Sequence, residues 1–149
     1  MKRFVFRLER LLNFRHSMEM EQARRLGDVQ RVEQERQRAA DQARARLANA
    51  ESQLESAPPE HRTAGTIANL GVLVDAAREA NNVAQSKHRE AALRTEEERI
   101  RYEQARKARR TMERLREHRH GEWQLEANHE EQDAIDEVAL RKHRSGQNQ

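Results

Sequence analysis

Apolar residues recur along the first part of the chain with a seven-residue period that is sound at both ends and polar between them. Counted from Leu8, one core series is Leu8, Arg15, Gln22, Val29, Arg36, Ala43 and Ala50. The other is Leu12, Glu19, Leu26, Glu33, Ala40, Leu47 and Leu54. Steps alternating between three and four lay a narrow apolar stripe along one side of a helix, which is a coiled-coil seam. This seam is thin and rich in alanine, and Arg15, Glu19, Glu33 and Arg36 interrupt it. The stretch ESAPPEHRTAGT stops the pattern, because Pro58 and Pro59 lack backbone donors and push Ala57 and Pro58 away from helical dihedrals. After it, Thr63 or Thr66 suits a helix cap. Ile67, Leu70, Val74, Ala77, Ala84, Ala91, Tyr102, Ala105 and Met112 then resume the same spacing.

The pattern predicts an all-α fold: a long antiparallel two-helix coiled-coil hairpin with an overhanging C-terminal helix. Its elements are a first helix over about 6–56, a tip loop over about 57–66, a second helix over about 67–142 and a frayed polar tail at 143–149, all in one elongated domain. With the tip near His61, Leu8 faces the neighbourhood of residue 114. The second helix then outruns the first by about 30 residues, or about 45 Å at 1.5 Å per residue. Trp123 falls on that overhang without a partner in its own chain, and Leu115, Ile135, Val138 and Leu140 add to its apolar content.

Composition supports helices and removes other classes. Of 149 residues, 35% are hydrophobic and 3% aromatic, too few to fill a conventional core. Gly 5 and Pro 2 are too few for a loop-rich fold. Cysteine is absent, which excludes a disulfide framework and thiolate metal sites. The longest apolar run near the start is Phe4, Val5 and Phe6 before Arg7 interrupts it, too short for a membrane span or a signal peptide. Charge is mixed: residues 1–110 hold 23 Lys/Arg against 17 Asp/Glu, and residues 111–149 hold 6 against 9. The body is therefore basic and the tail acidic, with RKHR at the helix C-terminus where the macrodipole favours positive charge.

Candidate chemistry is sparse. His118, His120 and Glu122 are two apart, so on a helix they point to different sides and do not converge on one ion. Glu96, Glu97 and Glu98 are consecutive and fan round a helix instead of pairing across a cleft. No phosphate loop or nucleophile-base set is present, so neither an enzyme nor a cofactor is expected. ARKARR at 105–110 offers a contact for nucleic acid, but acids are interleaved nearly everywhere and stacking aromatics are missing. In the opening KRFVFRLERLLNFR, apolar and basic residues alternate, which fits a membrane-surface helix as well as the open mouth of a hairpin. On the second reading Leu8 and Leu12 take seam positions, while Phe4 and Phe6, ahead of the seam, are free for docking.

Three features together resemble the flagellar export protein FliJ family: the opening KRFVFRLERLLNFR, the charged coiled-coil body without repeats, and the ending MERLREHRHGEWQLEANHEEQDAIDEVALRKHR. The resemblance covers essentially the whole chain. It implies a non-enzymatic stalk that docks into the hexameric export ATPase, contacts the export gate membrane protein and binds export chaperones, at the cytoplasmic face of the cell membrane at the flagellar base. Matched to the family's two ends, Phe4, Phe6, Leu8, Leu11, Leu12, Leu115, Trp123, Asp136, Glu137 and Arg141 are the expected ATPase-docking residues. Stalk proteins of injectisomes share the architecture. A basic coiled coil that binds nucleic acid or an anionic membrane is the reading from a different class.

Overall fold

A computed structural model describes residues 3–61 and 63–146, with side chains described over 3–60 and 63–141. Two long helices account for most of it: α1, Glu9–Glu55, and α2, Ala64–Gly146, with a short 3-10 turn at Pro59–His61 between them. No strand is found among the described residues. The fold is an all-α helical hairpin, as the apolar spacing predicts.

The helix ends follow from local chemistry. Ser56 ends α1 by donating both its amide and its hydroxyl to the Ser52 carbonyl, at 2.9 and 2.6 Å. Pro58 and Pro59 come next and cannot extend the ladder. At the start of α2 the Thr63 hydroxyl accepts from the Thr66 amide at 3.2 Å, and the Thr63 carbonyl accepts from the Ile67 amide at 3.0 Å. Thr63 is thus the N-cap, and α2 begins at Ala64, three residues before the position expected from Ile67. Its far end runs to Gly146, beyond the expected stop near 142, while residues 147–149 of the expected frayed tail lie outside the described part. α1 begins at Glu9 rather than near Phe6, because residues 3–8 form a non-helical lead closed by a Glu9 amide to Phe6 carbonyl bond of 3.1 Å.

The chain divides into two compact units, Met20–Glu103 and Met1–Glu19 with Gln104–Gln149. In the first, antiparallel pairing is fixed by Arg78 to Glu51 at 3.5 Å and by the Thr95 hydroxyl to the Val29 carbonyl at 3.5 Å. On α1 the covered positions of this unit include Leu26, Glu33, Ala40, Leu47 and Leu54, one per heptad, whereas Arg36 of the other series turns to solvent. On α2 covered residues run Leu70, Val74, Ala77, Asn81, Ala84, His88, Ala91, Thr95, Glu98 and Tyr102, an unbroken alternation of four and three. Among the described residues of this unit, only Ala40, Ala50, Val74 and Ala91 are buried apolar residues. Gln22 Oε1, Asn81 Oδ1, His88 Nδ1 and Glu98 Oε2 are buried without a hydrogen-bond partner. Such atoms each cost about 1–3 kcal/mol, so this seam holds its register at the expense of stability.

The second unit packs the start of the chain against α2. Its buried residues are Phe6, Leu12 and the carboxylate side chain of Glu19. Arg109 on α2 donates from Nε to Glu19 and also pairs with Glu113, and Arg116 lies 3.6 Å from Glu9. The Glu19 carboxylate, followed by the contribution of Glu113, holds the Arg109 guanidinium firmly protonated against the opposing effect of burial.

A candidate docking site at the open end

The pairs Glu9–Arg116 and Glu19–Arg109 set how the start of α1 runs beside α2. The lead ahead of Glu9 carries Phe4 one to two turns beyond Arg116. Its ring meets His120 edge to face, with centroids 5.0 Å apart and planes at 87°, and lies 6.0 Å from Trp123. His120 and Trp123 are 5.8 Å apart, so the three rings form one cluster. Edge-to-face and tilted pairs of this kind add about 0.5–1.5 kcal/mol beyond the area they bury. Trp123 is therefore not bare on an overhang: it is half-buried against the start of its own chain.

Phe4 divides two grooves. One, of about 550 Å³, is lined by Phe4, Val5, Phe6, Leu8, Leu115 and Trp123 together with the charged residues Arg7, Arg119, Glu122 and Glu126. The other, of about 480 Å³, is bounded by Phe4, Glu113, Arg116, Glu117 and His120. Both are open and mixed in character, suited to receiving side chains of a partner more than to enclosing a small molecule.

The residues expected at the docking end separate into four groups. Phe6 and Leu12 are buried, so Phe6, expected ahead of the seam and free, instead serves the core. Leu8 and Leu11 are 41% and 39% exposed, so Leu8, expected in the seam, is open. The exchange has one cause: helical phase begins at Glu9, and residues before it do not follow the seven-residue count. Phe4, Leu115 and Trp123 are half-buried around the larger groove. Asp136, Glu137 and Arg141 lie far along α2 on the exposed stretch, where Glu137 and Arg141 pair at 2.5 Å.

Two features escaped the sequence pattern. His120 joins the aromatic cluster, although nothing in its spacing distinguishes it from His118, which lies 3.5 Å from Glu122. Glu19 interrupts the seam by hydropathy, yet it is buried and bound to Arg109. An acid at a seam position with an arginine facing it across the hairpin is the signal that finds this pair. It also removes Arg109 from the ARKARR run, leaving Arg106, Lys107 and Arg110 as its exposed cations.

Among the described residues no group of three or more His, Asp or Glu is arranged to hold a metal ion. No described helix is long and apolar enough to cross a membrane. A family model described as Flagellar FliJ protein matches residues 4–148. Comparison with curated proteins and with solved structures gave no match.

Proposed function

The chain belongs to the flagellar FliJ family, a component of the flagellar export apparatus, and from that premise we propose that it couples the export ATPase to the rest of the machinery without chemistry of its own. The unit that joins the start of the chain to the far part of α2 docks into the hexameric ATPase. The grooves beside Phe4 and the exposed stretch of α2 supply the contact. The polar seam of the other unit leaves a surface for the export gate and for export chaperones, on the cytoplasmic side of the membrane.

One observation supports this reading most: among the described side chains α2 is last covered at Ala127, and beyond it Ile135, Val138 and Leu140 are exposed at 60%, 53% and 62%. Large apolar side chains on an uncovered helix mark a surface that another protein buries. Two non-identical helices entering a ring of identical subunits touch those subunits unequally. The ring's conformations are thereby biased by differential contacts, as any effector must do.

Nucleic-acid binding is less well supported, because Arg109 of the basic run is committed to Glu19 and Glu113. Mixing the purified protein with the export ATPase tests the proposal. Hydrolysis or ring assembly rises if it holds. No effect, together with steeply salt-dependent binding to DNA or anionic vesicles, refutes it.

A further inference from the structure

From Asn128 to Arg141 every residue of α2 is exposed, and the order of residues on that bare helix is not random. At about 100° per residue, Ala127, Ala134 and Val138 fall on the same side as Trp123. The stripe that packs against the start of the chain thus continues past it, with Ile135 farther round and Glu131 between Val138 and Ile135. Glu126, Glu130, Asp133 and Glu137, spaced four, three and four, make a second row about a quarter-turn round the helix. Leu125 and Leu140, 63% and 62% exposed, lie on the far side of that row. Among the described side chains only Glu137 of the four has an ion-pair partner, Arg141. Residues 124–141 carry six carboxylates and one arginine.

An apolar row bordered by a row of one sign is the device by which paired helices choose partners. A second copy of this chain would set carboxylates against carboxylates. Nucleic acid and anionic membranes are repelled by the same row. We propose that α2 beyond Trp123 grips a cationic amphipathic helix of another protein, whose Lys or Arg row meets Glu126, Glu130, Asp133 and Glu137 and whose apolar row covers Ala134, Ile135 and Val138. The acidic row covers about 16 Å, so the partner helix has at least three turns. This inference rests on the reading of this end as the docking end and names the chemistry of what it holds.

Two synthetic helical peptides with identical apolar rows, one bordered by lysines and one by glutamates, test it by fluorescence anisotropy with the full chain. The lysine peptide should bind at least about tenfold more tightly. Neutralising the acids together, E126Q, E130Q, D133N and E137Q, should remove the preference. Replacing Ile135→Ser and Val138→Ser should weaken the lysine peptide about tenfold at unchanged circular dichroism. Equal binding of the two peptides overturns the proposal. So does full binding in the serine variant, which would reduce the effect to charge attraction, or a dimer in sedimentation equilibrium that the same serines dissolve. The same proteins mixed with the export ATPase separate the two readings. Lysine-peptide recognition without any ATPase stimulation by the parent chain overturns the ATPase assignment and leaves helix recognition standing.

Discussion

The Glu19 carboxylate on α1 is buried and accepts a hydrogen bond from Arg109 Nε on α2, ninety positions away in the chain. Arg109 has 19% of its side chain exposed and keeps Glu113 as a second partner, whereas the buried Glu19 loses its ion-pair partner when Arg109 is replaced. Arg109→Ala should therefore lower stability by roughly 3 kcal/mol in urea unfolding, and Glu19→Ala by less. Glu19→Leu combined with Arg109→Leu should recover most of that loss, since apolar replacement of both partners removes the stranded charge. A double variant as unstable as the sum of its singles would contradict this account.

The aromatic cluster makes a graded prediction. Phe6→Ala, which empties a buried site, should cost about 3 kcal/mol. Phe4→Ala should cost less, because Phe4 is only half-buried, and should shift the emission of Trp123, the only tryptophan, to longer wavelength. Unchanged emission would mean that the start of the chain does not cover Trp123 in solution.

Much of this arrangement can be read from the sequence, and the errors have separate causes. Pro58 and Pro59 mark the turn, and Leu70, Val74, Ala77, Ala84, Ala91, Tyr102, Ala105 and Met112 all fall on the covered side of α2, whose polar members Asn81, His88, Thr95 and Glu98 the apolar pattern passes over. The heptad count fails at Phe6 and Leu8 because it assumes helix where residues 3–8 are not helical, which changes the phase of the side chains. It fails at Trp123 because a tip at His61 sets Leu8 against residue 114, whereas Glu9 lies beside Arg116 and Glu19 beside Arg109, a few residues farther along α2. Glu19 fails differently: hydropathy alone does not register an acid that is buried because an arginine faces it.

The polar seam of Met20–Glu103 predicts a broad, early thermal transition. Asn81→Leu and His88→Leu each replace a side chain with an unpartnered buried atom, and each should raise stability by about 1 kcal/mol. Gly27→Ala and Gly71→Ala should add up to about 1 kcal/mol apiece, because both sit in helix with nothing within 4 Å of an added Cβ. A sharp transition at high temperature in the parent chain would contradict the weak-seam argument.

On the surface of α2, the hydrogen bond from Arg99 holds the Glu96 carboxyl below the usual carboxylate range. A lowered folded value means that this group's contribution is complete above the ordinary range and is lost as pH falls through the folded value. NMR titration should find Glu96 ionising low, and Arg99→Gln should raise it. An unchanged titration in that variant would remove the pair from the account.

The most direct test of the central claim is the hydrolysis rate of the export ATPase titrated with this protein. Coupling by a single asymmetric hairpin in a hexameric ring predicts a rise that saturates at one chain per hexamer and weakens in the Ile135→Ser, Val138→Ser variant. A rate that does not change, or that saturates only at one chain per ATPase subunit, would contradict it.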